Sequence, residues 1–161
     1  MPNKITLFKD DNGFLSNFYP CFIVLDGTQY PSLEHAFQAA KAGTEDKHTY
    51  IDFSGKKITM LARDYINSAR TPGEAKRRGK SIKLRPGWDD MKLEVMEGLV
   101  RQKFTNDWYL AEQLLKTGDA ELIEGNWWGD TFWGVCHGKG ENHLGKILMR
   151  VRDELREGWK L

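Results

Sequence analysis

Turn and breaker residues punctuate this chain at short intervals, at Asp26-Gly27, Pro31, Gly43, Pro72-Gly73, Pro86-Gly87 and Gly118. Between most of these breaks the apolar residues recur every third or fourth position, so the chain is constrained to fold largely as short amphipathic helices. Pro31 and Ser32 open one that runs to about Ala42, with Leu33, Ala36, Phe37 and Ala40 on one face and Gly43 as the stop. Ile58, Leu61, Ala62, Tyr65 and Ile66 mark a second helical face between Lys57 and Ala69. Thr71-Pro72-Gly73-Glu74 offers an N-cap hydroxyl, a proline at the first helical position and a glutamate to close a capping box, which predicts a short helix to about Lys80. The longest helix follows Pro86-Gly87, with Met91, Val95, Met96, Leu99, Val100 and Phe104 along one side. Leu110, Leu114 and Leu115 predict another before Gly118. Leu144, Ile147, Leu148, Val151 and Leu155 predict the last, with Asn142 as its cap.

Three stretches break this pattern. Ile5 to Phe8 and Phe22 to Leu25 are short apolar runs, and Asp26-Gly27 turns the second back through Thr28 to Tyr30, a small β element. Glu121 to Glu124 is compatible with a strand. The segment from Gly125 to Gly145 is rich in Gly and Trp and has no period; its tryptophans favour an ordered functional loop over disorder. The fold expected is α+β, predominantly α-helical with a small β-sheet. No repeat, low-complexity tract or long polar linker interrupts it, and 161 residues with 40% apolar content suit one core, so a single domain over 1–161 is expected.

Lys and Arg number 24 against 23 Asp and Glu, a formal charge of +1 that gives no global attraction to nucleic acid or membrane. Met1 to Asp10 lacks the features of a secretory signal, and no run reaches the roughly 18 apolar residues of a membrane span, so a cytoplasmic protein is expected. Cys21 and Cys136, far apart, suit a reducing compartment. Trp88, Trp108, Trp127, Trp128, Trp133 and Trp159 exceed what a core of this size needs, so some are expected to face a ligand.

Residue types that carry chemistry gather in two places. Glu34, Gln38 and Lys41, spaced four and then three, share one helical stripe on which acid, amide and amine can hold a sugar; a solvated polar face has the same spacing. Asp130-Thr131-Phe132-Trp133-Gly134 sets an acid three residues before a ring on which a base or ribose can stack, or else is a solvated acid beside a core tryptophan. Glu34 and Asp130 together would suffice for glycosidic hydrolysis, one activating water and the other stabilising the oxocarbenium-like centre or protonating the leaving nitrogen. Lys41 permits a covalent route through a Schiff base at the sugar carbon, if its amine is held neutral; a plain salt bridge is the alternative.

Anion sites are fewer. Lys76, Arg77, Arg78, Lys80, Lys83 and Arg85 form the one local basic run, either a solvated face or a contact for substrate phosphate or nucleic acid. Gly138-Lys139-Gly140-Glu141-Asn142 before the last helix offers backbone N–H groups to a phosphate, although His143 replaces the third glycine of a dinucleotide fingerprint. Gly79-Lys80-Ser81 is rejected as a P-loop, since Glu74 stands where its first glycine belongs. Cys136, His137 and His143 fit no standard zinc spacing, and no metal is expected.

Leu15-Ser16-Asn17-Phe18, the run from Tyr30 through Glu34-His35-Ala36-Phe37-Gln38 to Lys41, Asp130 to Gly134, and Gly140-Glu141-Asn142-His143-Leu144-Gly145 together resemble the YbiA-like, or NADAR, family. Ala75 to Gly79 and the helix from Trp88 to Phe104 resemble its middle section, so the match covers nearly the whole chain. The resemblance implies that family's mostly helical α+β fold and an N-glycosidase activity on ribosyl compounds, including early riboflavin-pathway intermediates; other members are associated with ADP-ribose, some with its removal from guanine in DNA. It implies Glu34, Lys41 and Asp130 as catalytic groups, with Asn17, Phe18, His35, Gln38, Trp133, Gly134 and Asn142 in the pocket. Val135-Cys136 departs from the family's longer, more glycine-rich run, at a loop that bears on substrate choice.

The leading expectation is hydrolysis of an N-ribosidic bond in a small ribosyl phosphate or ADP-ribose-type substrate, with no metal or redox cofactor and no membrane partner. The alternatives are release of ADP-ribose from a modified nucleobase, with ADP-ribosylated nucleic acid as partner, and a non-catalytic module that binds NAD or ADP-ribose. Oligomeric state is not legible from the sequence.

Overall fold

The computed structural model describes residues 3–158, so Trp159 lies outside the described residues. In chain order the elements are β1 (Lys4–Ile5), a 3-10 helix (Asp10–Leu15), β2 (Pro20–Leu25), β3 (Thr28–Ser32), α1 (Leu33–Ala40), β4 (Lys47–Ile51), β5 (Lys57–Leu61), α2 (Ala62–Asn67), α3 (Pro72–Gly79), α4 (Trp88–Thr105), α5 (Trp108–Lys116), β6 (Glu121–Leu122), β7 (Gly125–Asn126), β8 (Val135–Cys136) and α6 (His143–Gly158). Helix predominates, as expected for this α+β chain; among the described residues the strands are divided into four two-stranded ladders. Residues Pro20–Val95 form one compact unit, and the described residues before and after them form another.

In the unit Pro20–Val95, β2 and β3 pair antiparallel with Ile23 opposite Tyr30 and Leu25 opposite Thr28. Asp26 (φ 49°) and Gly27 (φ 81°) both take left-handed backbone, the tight turn that their Asp-Gly sequence predicts. Ser32 ends the hairpin and caps α1, its hydroxyl accepting from the His35 N–H. Every residue of α1 is buried, because the hairpin, α2 and α3 all pack around it. Ala36, Ala39 and Ala40 leave room for that close packing. The helix stops at Ala40, two residues short of expectation, and Gly43 does not supply a left-handed stop. Arg63 closes the end instead: its Nε donates to the Ala42 carbonyl at 2.9 Å while Nη1 meets Asp26 at 2.6 Å.

The helix expected from Lys57 is half strand. Residues 57–61 form β5, paired in register with β4, and only Ala62–Asn67 is helical. Ile58 and Met60 alternate with exposed Lys57 and Thr59, a period of two that the spacing of Ile58, Leu61 and Ala62 disguised. The Thr49 and Thr59 hydroxyls bond across the ladder at 2.7 Å, and Asp52 Oδ1 accepts from the Ser54 and Lys56 N–H groups to set the turn. α3 starts at the predicted cap, with the Glu74 N–H donating to Thr71 Oγ1 at 3.0 Å. The Glu74 carboxylate reaches back one residue further than a capping box does, to the Arg70 N–H at 2.9 Å.

In the other unit, β1 runs parallel to β6, and the later part of α4 packs with α5 and α6 on a core that includes Phe14, Leu99, Phe104, Leu114, Leu148 and Val151. Asp107 caps α5 by accepting from the Tyr109 and Leu110 N–H groups. Two buried cations replace apolar packing with directed bonds. Lys103 Nζ donates to the carbonyls of Phe14 (2.7 Å) and Ser16 (2.8 Å), and Arg152 Nη1 to Thr117 Oγ1 (2.9 Å) and the Ala120 carbonyl (2.8 Å). Asn142 is not the side-chain cap expected for α6. Its φ is 54°, and its amide is spent on the strand region, Nδ2 donating to the Leu122 carbonyl and Oδ1 accepting from the Glu124 N–H.

Candidate functional site

The polar stripe of α1 is not a solvated face. Glu34 is 7% and Gln38 4% exposed, and Gln38 Nε2 donates to Glu34 Oε1 at 2.8 Å. A carboxylate taken out of water needs such a donor, and the i,i+4 spacing supplies it from the next turn. The other amide atom, Gln38 Oε1, is buried without a hydrogen-bond partner and faces Gly79 at the end of α3. A Cβ built on Gly79 would stand 1.8 Å from that oxygen, so any side chain there would displace the Gln38 amide.

Lys41 follows as the C-cap residue of α1. Burial holds its amine below the usual lysine range; the Glu34 carboxylate opposes this, while the positive charges of Lys76, Lys80 and Lys92 push in the same direction as burial. The ammonium position lies 5.9 Å from the Phe37 ring centroid, and Phe37 packs against Trp88 at 5.3 Å. An acid, an amide and a lysine of depressed basicity therefore sit together beside further cations. His35 is directed elsewhere. Its Nε2 bonds the Ala69 carbonyl at 3.0 Å, which must accept, so in the neutral ring the Ser32 hydroxyl donates to Nδ1 at 2.7 Å.

The basic run divides by role. Lys76 and Lys80 act on Lys41 electrostatically, whereas Arg78 is spent on the fold, donating to the Tyr65 carbonyl (2.6 Å), Ser68 Oγ (2.8 Å) and Glu74 (2.8 Å) above the Tyr65 ring. Lys92, on α4, escaped the sequence reading altogether. Its relation to Lys41 depends on where Pro86-Gly87 sends the chain, and no local spacing encodes that.

The remaining candidates lie in the other unit. Asn17 Nδ2 approaches Met96 Sδ at 3.7 Å, and Phe18 is 43% exposed just after the carbonyls pinned by Lys103. Asp130 organises its own turn, Oδ1 accepting from the N–H groups of Phe132 (3.2 Å) and Trp133 (2.9 Å). Asn126 locks the other side, Oδ1 accepting from the Asp130 N–H and Nδ2 donating to the Asp130 carbonyl. The Trp133 ring packs edge-on against Phe132 at 4.8 Å, and Gly134 is buried where a Cβ would meet the Glu124 carbonyl at 2.1 Å.

Much of the phosphate cradle expected at residues 138–142 is already taken up by the fold. The N–H groups of Glu141, Asn142, His143 and Leu144 donate to the carbonyls of Thr131, Gly134, Phe132 and Trp133, so the start of α6 is filled by the preceding loop. Among the described residues no three His, Cys, Asp or Glu side chains gather as a metal site, and no helix is long and apolar enough to cross a membrane. Cys21 and Cys136 are unbridged.

Comparison with known proteins gives a consistent result. The NADAR domain family matches residues 6–156. A riboflavin biosynthesis protein of Vibrio vulnificus is 41% identical over 98% of this chain, which spans 40% of that protein's length. An N-glycosidase of Nostoc punctiforme is 40% identical, with 89% of this chain and 86% of that protein aligned. The NMR structure of the Escherichia coli protein YbiA superposes with a TM-score of 0.75 at 34% identity, covering 99% of this chain and 89% of that one.

Proposed function

The chain belongs to the NADAR family, and from that premise we propose that it is an N-glycosidase that hydrolyses the C–N bond between ribose and a base or amine in a ribosyl-phosphate compound. One domain of this family, spanning 1–161, carries the activity, and it works in the cytoplasm, where such small substrates are met. No metal or redox cofactor enters the reaction.

The observation that carries the reading is Lys41: an amine of lowered basicity beside a buried Glu34 that Gln38 holds in place. Lys76, Lys80 and Lys92 serve twice, meeting the substrate phosphate and adding to the burial that lowers the basicity of the Lys41 amine. The Nζ lone pair attacks the ribose C1, the Glu34 carboxylate takes a proton from the attacking nitrogen and passes it to the leaving nitrogen, and the C–N bond breaks with its electrons going to that nitrogen. The lysine-bound sugar opens to an imine. Water then adds to C1 with Glu34 again relaying the proton, now to Nζ, the C1–Nζ bond breaks, and ribose phosphate departs as the free amine is restored. The competing course has Glu34 deprotonate water for direct attack, with no bond to Lys41. Asp130 acts as a positioning residue for the Trp133 turn.

Mass spectrometry of turnover against ribosylaminopyrimidine phosphates, NAD, ADP-ribose and ADP-ribosylated guanosine tests the reading beside Glu34→Gln. Cleavage of one of them, lost in the variant, supports it and identifies the substrate. Return of all of them intact, with binding retained, makes the protein a ligand-binding module. Borohydride added during turnover traps Lys41 if the covalent course operates; turnover without an adduct selects direct attack by water.

A further inference from the structure

Beside the β7–β8 ladder lies an open cleft of about 520 Å³ that the proposed hydrolysis does not use. Leu7, Phe8, Lys9, Ser16, Trp127 and Trp128 are among its lining residues, and the volume lies in the range of about 300–1,000 Å³ typical of small-molecule sites. Its two tryptophans are unusually exposed, Trp127 at 79% and Trp128 at 51%. Large rings left this far in water contribute little to a core, so their presence needs another reason.

The backbone of the loop that carries them is held in place. Asn126, immediately before Trp127, donates to the Asp130 and Val135 carbonyls and accepts from the Asp130 N–H, closing the chain around both rings. Gly129, at φ 90°, supplies the left-handed step that the tight return requires. The rings meet edge to face, with centroids 5.7 Å apart at 84°, so the edge-on ring keeps its flat faces clear of its partner. A loop ordered before binding loses little entropy when it engages, and a flat aromatic face selects a flat aromatic ligand. Lys9 adds a cation and Ser16 a hydroxyl to a lining that also contains Thr6, Asn126 and the acid Glu124 among its apolar residues.

We propose that this cleft is a second binding site, for a free mononucleotide whose heterocycle stacks on Trp127 and whose phosphate meets Lys9. It goes beyond the N-glycosidase reading and does not depend on turnover. Calorimetric titration of the full chain with adenosine 5′-monophosphate, adenosine and ribose 5-phosphate tests it directly. The nucleotide is expected to bind a few-fold more tightly than the nucleoside, and ribose 5-phosphate at least tenfold more weakly than either. Trp127→Ala should weaken nucleotide and nucleoside alike by about tenfold, the scale of one lost stacking partner. Lys9→Ala should bring the nucleotide down to the affinity of the nucleoside. Both side chains are exposed, so circular dichroism of the variants should match the parent. Absence of nucleotide binding, equal binding of ribose 5-phosphate, or an affinity untouched by Trp127→Ala overturns the proposal. Glu34→Gln, titrated in parallel, separates the two sites: nucleotide binding that falls with Glu34 and not with Trp127 belongs to α1 and also overturns it.

Discussion

Gly79→Ala puts a single methyl group between α3 and the proposed catalytic pair. The added Cβ would lie 1.8 Å from Gln38 Oε1 and 2.7 Å from its Cδ, distances no side chain sustains, so the Gln38 amide must turn away. Turning breaks the 2.8 Å bond to Glu34 and leaves a buried carboxylate short of a donor. A hydrogen bond to a charged group contributes about 1.5–3 kcal/mol, while replacing a helical glycine by alanine returns at most ~1 kcal/mol. The net loss is therefore about 0.5–2 kcal/mol, or about 1–8 °C in Tm for a chain of this length. Thermal unfolding and turnover of Gly79→Ala, Gln38→Ala and the double variant form a closed cycle. In the Gln38→Ala background the clashing amide is gone, so Gly79→Ala should become neutral or stabilising there. An equal penalty in both backgrounds would refute the reasoning, because the methyl group would then be meeting something other than Gln38.

Other parts of the molecule yield sharper tests of role. If neutral Lys41 is the nucleophile, kcat/KM rises with pH as its amine loses a proton; Lys76→Ala or Lys80→Ala, by removing a like charge, should move that limb to higher pH, and a limb that stays put counts against Lys41. Asp130→Asn keeps an Oδ1 acceptor for the Phe132 and Trp133 N–H groups while Asp130→Ala does not, so a positioning role predicts near-parent turnover for the amide and a loss of about tenfold or more for alanine. Equal loss in both variants assigns the work to the charge instead. Lys103→Met removes the donor of the Phe14 and Ser16 carbonyls and should cost about 2–4 kcal/mol in urea unfolding; a cost under about 1 kcal/mol would mean water replaces it.

What the sequence made legible is what local chemistry decides. Asp26-Gly27 requires left-handed backbone at two successive residues, and Thr71 before Pro72 leaves little choice about where α3 starts. The hairpin of β4 and β5 was missed because Ile58, Leu61 and Ala62 satisfy a helical spacing, and what selects the strand is a partner ten or so residues away. The same limit explains the phosphate cradle. Glycines before α6 advertise a helix start open to an anion, but the N–H groups of Glu141 to Leu144 there are taken by the carbonyls of Thr131 to Gly134, which meet them only through the loop's tertiary path.

The candidate site was legible as spacing and illegible as environment. An acid and an amide four residues apart read equally well as a solvated face, and what decides between the two is the packing of α2, α3 and the β2–β3 hairpin around a helix whose own apolar side looks ordinary. Once every residue of α1 is buried, Glu34 becomes a group that costs stability, because a paired apolar substitute would fill the same space without desolvating a charge. Gln38 recovers part of that cost and carries its own, an oxygen with no hydrogen-bond partner against Gly79. A helix that tolerates an expensive acid, an amide oxygen without a partner and a lysine of lowered basicity within eight residues is poorly explained by folding alone. Sequences break local rules in this way where chemistry requires it, and that is the physical ground for proposing α1 as the place of the reaction.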